Sequence, residues 1–336
     1  MTAMRAAVVA GEGQLALEEV PVPEPGPGQA LLRIEACGVC GSDLHLLSVG
    51  ALPRGTVMGH EFCGTVAQVG PGASARVGER WVGLPLLPCG ACARCLSGDR
   101  RACLTPLRIG VRGSGGGYAE YAVIDCERSL PVPRHLDPQT AALCEPLSVG
   151  LRAVRRSSLR PGDAVAVIGA GCIGLMVVQC ALLAGAAEVS VVEPSAARAA
   201  AATDFGATRV LGGEEQARDH FATQPVAVAF ECAGARGTLQ LAAITVRQGG
   251  EVIGVGVHGE DTIRPSTWLM KELTLRMSLE GVAEFPMALR LLADGRLRPL
   301  PMVSRRVALE ELPAAVEQER SARQQVKMLV TPGRLS

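Results

Sequence analysis

The 336-residue chain has no excess of charge of either sign: Lys+Arg and Asp+Glu both total 33. That balance removes the electrostatic case for a nucleic acid or an anionic membrane surface as partner. Aromatics are scarce, with two Trp, two Tyr and five Phe, so few rings mark a ligand pocket. The opening MTAMRAAVVAGEGQ lacks a basic segment followed by an apolar run, so a secretory leader is not expected. The apolar stretch at 165–178 is broken by Gly169, Gly171 and Gly174, which does not suit a membrane span. There is no internal repeat, and the one biased segment is Ala-rich, at 196–202. A cytoplasmic location is the resulting expectation. Two domains are expected as well, because single cores rarely grow past roughly 250–300 residues.

Cysteine is plentiful instead, with twelve in the chain. In a reducing compartment, clustered cysteines favour metal or catalysis over disulfides. Cys89, Cys92, Cys95 and Cys103 place four thiolates within fifteen residues, separated by small or turn-forming residues. Four soft anionic ligands are what a closed tetrahedral Zn²⁺ site requires. A nucleic-acid zinc ribbon would need two CxxC knuckles set well apart and a basic surface. The other cysteines, such as Cys172, Cys180 and Cys232, lie in apolar surroundings and read as small buried hydrophobes.

Along the first 130 or so residues, short apolar runs (6–10, 30–36, 64–69, 118–124) alternate with Gly and Pro clusters, a pattern that predicts strands and turns. Near residue 163 the rhythm changes. Strands are predicted at 164–169, 188–193, 226–231 and 250–255, with helices at 172–184, 195–205 and 238–247 between them. Such alternation implies right-handed βαβ units on a parallel sheet. The last 55 residues predict helices at 285–294 and 309–318 and a strand at 326–330.

Gly169-Ala170-Gly171-Cys172-Ile173-Gly174 fits G-x-G-x-x-G between a predicted strand and a predicted helix. Gly169 permits the tight turn, Gly171 lets the backbone approach a pyrophosphate, and Gly174 allows close helix packing. The helix N-terminus adds free N–H groups and a positive dipole end. Glu193, at the end of the next strand, is placed to accept from ribose hydroxyls and to repel a 2′-phosphate, which favours NAD over NADP. Arg198, in the following helix, softens that preference. Elsewhere, Cys40, His60 and one or both of Glu61 and Glu145 make a plausible open Zn²⁺ site, with a position left for water or substrate.

Several segments carry a family resemblance: GVCGSDLH at 38–45, GHEFCGTV at 59–66, the four-cysteine stretch, EPLSVG at 145–150, GAGCIG at 169–174 and the tail from Glu272. Together they make the chain similar to the zinc-containing medium-chain dehydrogenases, within them to the sorbitol and threonine dehydrogenase branch. The resemblance implies an α/β protein: a GroES-like β-rich catalytic domain (1–146 and 278–336) and a Rossmann doubly wound parallel-sheet domain (147–277), with the active site in the cleft between them. It implies two Zn²⁺ per chain and NAD. Cys40 and His60 would ligate the catalytic zinc, with Glu61 or Glu145 completing the shell and Asp43 orienting a ligand imidazole. Ser42 and His45 would pass the alcohol proton by way of the nicotinamide ribose. Gly254, Val255 and Gly256 would present backbone groups to the nicotinamide. A homodimer or homotetramer is implied too.

One departure bears on substrate. Polyol-oxidising relatives commonly carry an Arg and an aromatic residue where this chain has Glu280-Gly281. The expectation is a secondary alcohol of polyol, amino-alcohol or cyclitol type, with Glu280 binding a cationic group. Two alternatives stand beside it: ketone reduction in a biosynthetic direction, and a dinucleotide-binding protein without catalysis.

Overall fold

The structure is a computed structural model that describes all residues except 1–2, 12, 100–101, 112–114, 257–259, 323–324 and 333–336. The chain divides into two compact units, Met1–Glu145 with Phe285–Ser336, and Pro146–Glu284.

A seven-stranded sheet organises the first unit. Its long strand, Gln29–Val39, pairs antiparallel with Glu61–Val69 on one side and with Lys327–Thr331 on the other. Alternating apolar positions such as Leu32, Ile34, Phe62 and Val66 bury a core that also takes in Trp81 and Tyr118. The register sets Gly38 opposite Glu61 on one neighbour and opposite Leu329 on the other. A Cβ on Gly38 would lie 1.9 Å from Glu61 Oε2 and 2.9 Å from Lys327 Cε. Glycine is therefore required here, because the side chains of two neighbouring strands fill the space above it.

In the second unit, six strands run in the order Arg209–Leu211, Glu188–Val192, Ala164–Ile168, Val226–Glu231, Val246–Gly254, Thr274–Met277. Every neighbouring pair is parallel. In chain order this is 3-2-1-4-5-6, the doubly wound arrangement with its switch point beside the first strand. Val165, Val167, Val189, Val191, Val228 and Phe230 are fully buried, as strands covered on both faces require.

The α/β reading therefore holds, with local corrections. The first 130 residues are not purely strand and turn: Gly41–Ser48 is a helix. Its Gly and Ser resemble turn punctuation, but Asp43 reaches back to accept from the Cys40 N–H at 3.3 Å and starts the helix. The helix from Thr238 ends at Thr245, and Val246 already belongs to a strand. Lys271 Nζ donates to the carbonyls of Ala243, Ile244 and Val246, which closes the helix early. Helices at Cys144–Arg156 and Glu214–Thr223 escape the pattern reading. No helix among the described residues is long and apolar enough to cross a membrane.

Candidate active site and metal centres

Cys40 follows the long strand directly and is the N-cap of the helix Gly41–Ser48, whereas Glu61 begins the adjacent strand. Strand pairing thus brings together residues twenty apart in sequence. Ligand atoms of Cys40, His60 and Glu61 lie within 4.8 Å of one another. Glu145 does not join that group among the described residues. It is buried in the first turn of its helix, and burial raises its carboxyl to about 7, with Glu61 and Asp43 adding and His60 and Lys327 opposing.

Asp43, almost fully buried, lies with Oδ1 3.2 Å from His60 Nδ1. Burial alone would lower the His60 pKa, but Asp43 and Cys40 outweigh it and hold the imidazole well above its ordinary value. A ring whose Nδ1 faces a carboxylate offers its other nitrogen to a metal, and a metal would take the place of the proton. Ser42 Oγ donates to Cys40 Sγ at 3.2 Å. His45, one turn on, is exposed.

Two further residues, which motif reading passes over, complete the surroundings. Lys327 forms a fully buried ion pair with Glu61 and donates to the Val39 carbonyl at 3.1 Å. Glu61 Oε1 has no hydrogen-bond partner among the described residues. Tyr118 donates its hydroxyl to Asp43 Oδ2 at 2.6 Å. The signal for Lys327 was present: a lysine inside VKMLV, flanked by apolar residues, demands a buried partner. Tyr118 is one of only two tyrosines and follows a glycine run, which gives no hint of its partner. The donor set suits Zn²⁺: thiolate, imidazole and carboxylate, one oxygen buried and unpartnered.

The four clustered cysteines are free thiols. Their sulfurs lie within 4.8 Å of one another, with Cys89–Cys95 at 4.0 Å and Cys92–Cys103 at 3.9 Å. Tetrahedral zinc with Zn–S near 2.3 Å has S–S edges of about 3.8 Å, so the cluster is spaced for the metal and too wide for a disulfide. Hydrogen bonds from Thr105 and from the backbone of Ala91 and Cys92 bring Cys89 down to about 5, favouring the thiolate.

At the switch point of the parallel sheet, Gly169 has φ +94° and Gly171 is the N-cap of the helix Cys172–Leu183. A Cβ on Gly174 would stand 1.9 Å from the Gly169 carbonyl, whereas one on Gly171 would meet nothing within 4 Å. Gly174 is thus demanded by packing. Gly171, by contrast, faces open space suited to a pyrophosphate, and Ile173 lies in the same first turn. Glu193 is buried; its Oε2 accepts from Ala170 N at 2.8 Å and its Oε1 from Ser195 N at 2.9 Å. The carboxylate therefore braces the glycine loop, and its remaining lone pairs are left for a ribose. Arg198 is half-buried on the next helix. The N–H groups of Val255 and Gly256 are taken by the Glu231 carbonyl at 2.8 and 3.0 Å, and Gly254 O accepts from Ser278. What that loop can offer a ligand is thus its remaining carbonyls. Glu280 is half-buried with φ +52°, and a Cβ on Gly281 would run into Ser148.

Known proteins resemble the chain along nearly its whole length. Residues 26–134 match the alcohol dehydrogenase GroES-like domain, and residues 172–294 match the zinc-binding dehydrogenase domain. Sorbitol dehydrogenase of Bacillus subtilis is 30% identical, covering 98% of both chains. (R,R)-butanediol dehydrogenase of the same organism is 31% identical over 98% of this chain and 100% of its own. A putative zinc-binding dehydrogenase from Sinorhizobium meliloti, solved with NADP, superposes with a TM-score of 0.91 at 34% identity, over 99% of this chain and 100% of that one.

Proposed function

The chain belongs to the zinc-dependent medium-chain alcohol dehydrogenases, and we propose that within this family it oxidises a secondary alcohol on a polar small molecule with NAD. The observation that carries the proposal is the convergence of Cys40, His60 and Glu61, with Asp43 facing the His60 imidazole. The unit Met1–Glu145 with Phe285–Ser336 is the catalytic part, and Pro146–Glu284 binds the dinucleotide.

Cys40, His60 and Glu61 would hold the catalytic zinc with Glu145 in reserve, and Cys89, Cys92, Cys95 and Cys103 a structural zinc. When bound, zinc supplies a Lewis acid that lowers the pKa of a substrate hydroxyl, and the nicotinamide supplies the hydride acceptor. Asp43 keeps the His60 ring turned and its Nδ1 occupied. Ser42 Oγ would take the alcohol proton while passing its own on by way of the nicotinamide ribose to His45, whose exposed ring exchanges with water. Gly169, Gly171 and the first turn at Cys172, Ile173 and Gly174 seat the pyrophosphate, Glu193 the ribose. The carboxylate at Glu193 favours NAD, although the S. meliloti relative holds NADP.

Relatives that act on sorbitol and butanediol support a vicinal or polyhydroxylated alcohol. A second reading rests on Glu280, held at positive φ although it is not glycine, as residues at functional sites often are. On that reading it recognises an amine-bearing substrate. A panel of polyols, amino alcohols and cyclitols, followed by NADH absorbance, decides between them. Glu280→Gln should raise KM for an amino alcohol, and an unchanged KM removes the second reading.

Thr274–Met277 is an edge strand with every residue exposed, and Leu269, Met270 and Leu279 are exposed beside it in sequence. An open edge of this kind is suited to pairing with a second copy of the chain, which supports a homodimer or homotetramer. The clustering of four cysteines at metal-ligand spacing supports a reducing, cytoplasmic location.

A further inference from the structure

We propose that Tyr118 is a positioning residue of the Cys40–His60–Glu61 site, acting on the metal ligand His60 from two sides. The inference rests on the reading of that trio as a zinc site.

The first side is the hydroxyl. It is fully buried and donates to Asp43 Oδ2 at 2.6 Å. Among the described residues, the other donor to that oxygen is the Cys40 N–H, at a long 3.3 Å. Asp43 Oδ1 in turn lies 3.2 Å from His60 Nδ1. A carboxylate rotates about its last bond, so one oxygen must be pinned for the other to stay aimed. Tyr118 supplies the pin.

The ring is the second side. His60 follows Gly59, whose φ is +93°. A Cβ there would lie 2.5 Å from Tyr118 Cδ1, so the ring rests against the turn that delivers His60. Backbone bonds hold the ring in place: Tyr118 N donates to Met58 O at 2.9 Å, and Tyr118 O accepts from Ala7 N at 2.8 Å. The ring therefore fixes where the His60 backbone emerges, and the hydroxyl fixes how its imidazole is turned.

Tyr118→Phe separates the two, since it keeps the ring and removes the pin. Groups that bond a metal-ligating His directly, as Asp43 does, typically change metal affinity about 10–100-fold, and the Tyr118 hydroxyl acts one bond further out through Asp43. The expected result is a loss at or below the low end of that range, about tenfold, in zinc affinity at this site alone, measured by chelator competition. Zinc in the four-cysteine cluster stays bound and reports that the variant is folded. In the cobalt-loaded protein the visible spectrum of the first site shifts, kcat falls, and KM for NAD is unchanged.

Asp43→Asn gives a selective loss at least as large, and adding Tyr118→Phe to it changes nothing further, because the hydroxyl acts only through that carboxylate. Additive losses in the double variant, or wild-type zinc affinity in Tyr118→Phe, overturn the proposal. A wild-type protein that binds zinc only at the cysteine cluster overturns the underlying reading instead.

Discussion

Lys327→Met is the sharpest test of how the buried charges beside the site are balanced. In the metal-free protein the Lys327 ammonium is the cation paired with Glu61, and both side chains are only 1% exposed. Methionine keeps the apolar stem and removes the charge. Breaking a buried pair by deleting one partner costs about 3–5 kcal/mol, since the survivor is left buried and uncompensated. The unit that holds the pair has roughly 200 residues, a size at which 1 kcal/mol moves Tm by about 2–4 °C. The metal-free variant should therefore melt roughly 6–20 °C below the metal-free wild type. A zinc ion held by Glu61 restores a positive charge beside the carboxylate, so with zinc the deficit should shrink. Scanning fluorimetry of both proteins, with zinc and with a chelator, reads the four melting points. Loss of zinc from the cysteine cluster affects wild type and variant alike and cancels in the difference. Equal melting points without metal would show that the pair contributes nothing. An equal deficit with and without zinc would place the metal away from Glu61.

Glu145→Gln probes the second carboxylate. Burial raises Glu145 from the usual 4.5 to about 7, so the folded, metal-free protein holds a proton that the unfolded chain releases. The stability tied to that proton is fully present below about pH 4.5 and is lost as pH rises through about 7, a decline of about 3 kcal/mol. Urea denaturation of the metal-free Gln variant should show a gain of up to that size near pH 8 and none near pH 4.5; equal gains at both would refute the assignment. Gly174→Ala forces a methyl to 1.9 Å from the Gly169 carbonyl and should cost about 1–3 kcal/mol while weakening dinucleotide binding. Calorimetry with NAD checks this, and unchanged affinity would mean that the loop does not depend on that approach.

The parallel-sheet unit was the more legible half of the sequence. Its strands are continuous apolar runs, its helices lie between them, and Gly169, Gly171 and Gly174 punctuate the first crossover. These signals are local, and so survive in a linear reading. The four-cysteine cluster is local for the same reason. Lys327 and Tyr118 are not. Lys327 reaches Glu61 only because strand pairing joins residues 266 positions apart, and Tyr118 meets Asp43 across 75 positions. Neither contact follows from spacing. The choice between Glu61 and Glu145 was likewise open in the sequence. The strand register starts Glu61–Val69 opposite Gly38, beside the end of the strand that delivers Cys40, and so brings Glu61 within 4.8 Å of Cys40 and His60. Helix Gly41–Ser48 was hidden because its first residues double as turn formers, and only the Asp43 side chain turning back to Cys40 reveals the cap.

Zinc content and alcohol-dependent NADH formation, measured together on wild type and Cys40→Ser, test the central claim most directly. Two zinc ions per wild-type chain and one in the variant are expected, with NADH formation lost along with the missing ion. A Cys40→Ser protein that keeps both ions, or that forms NADH at the wild-type rate, would contradict it.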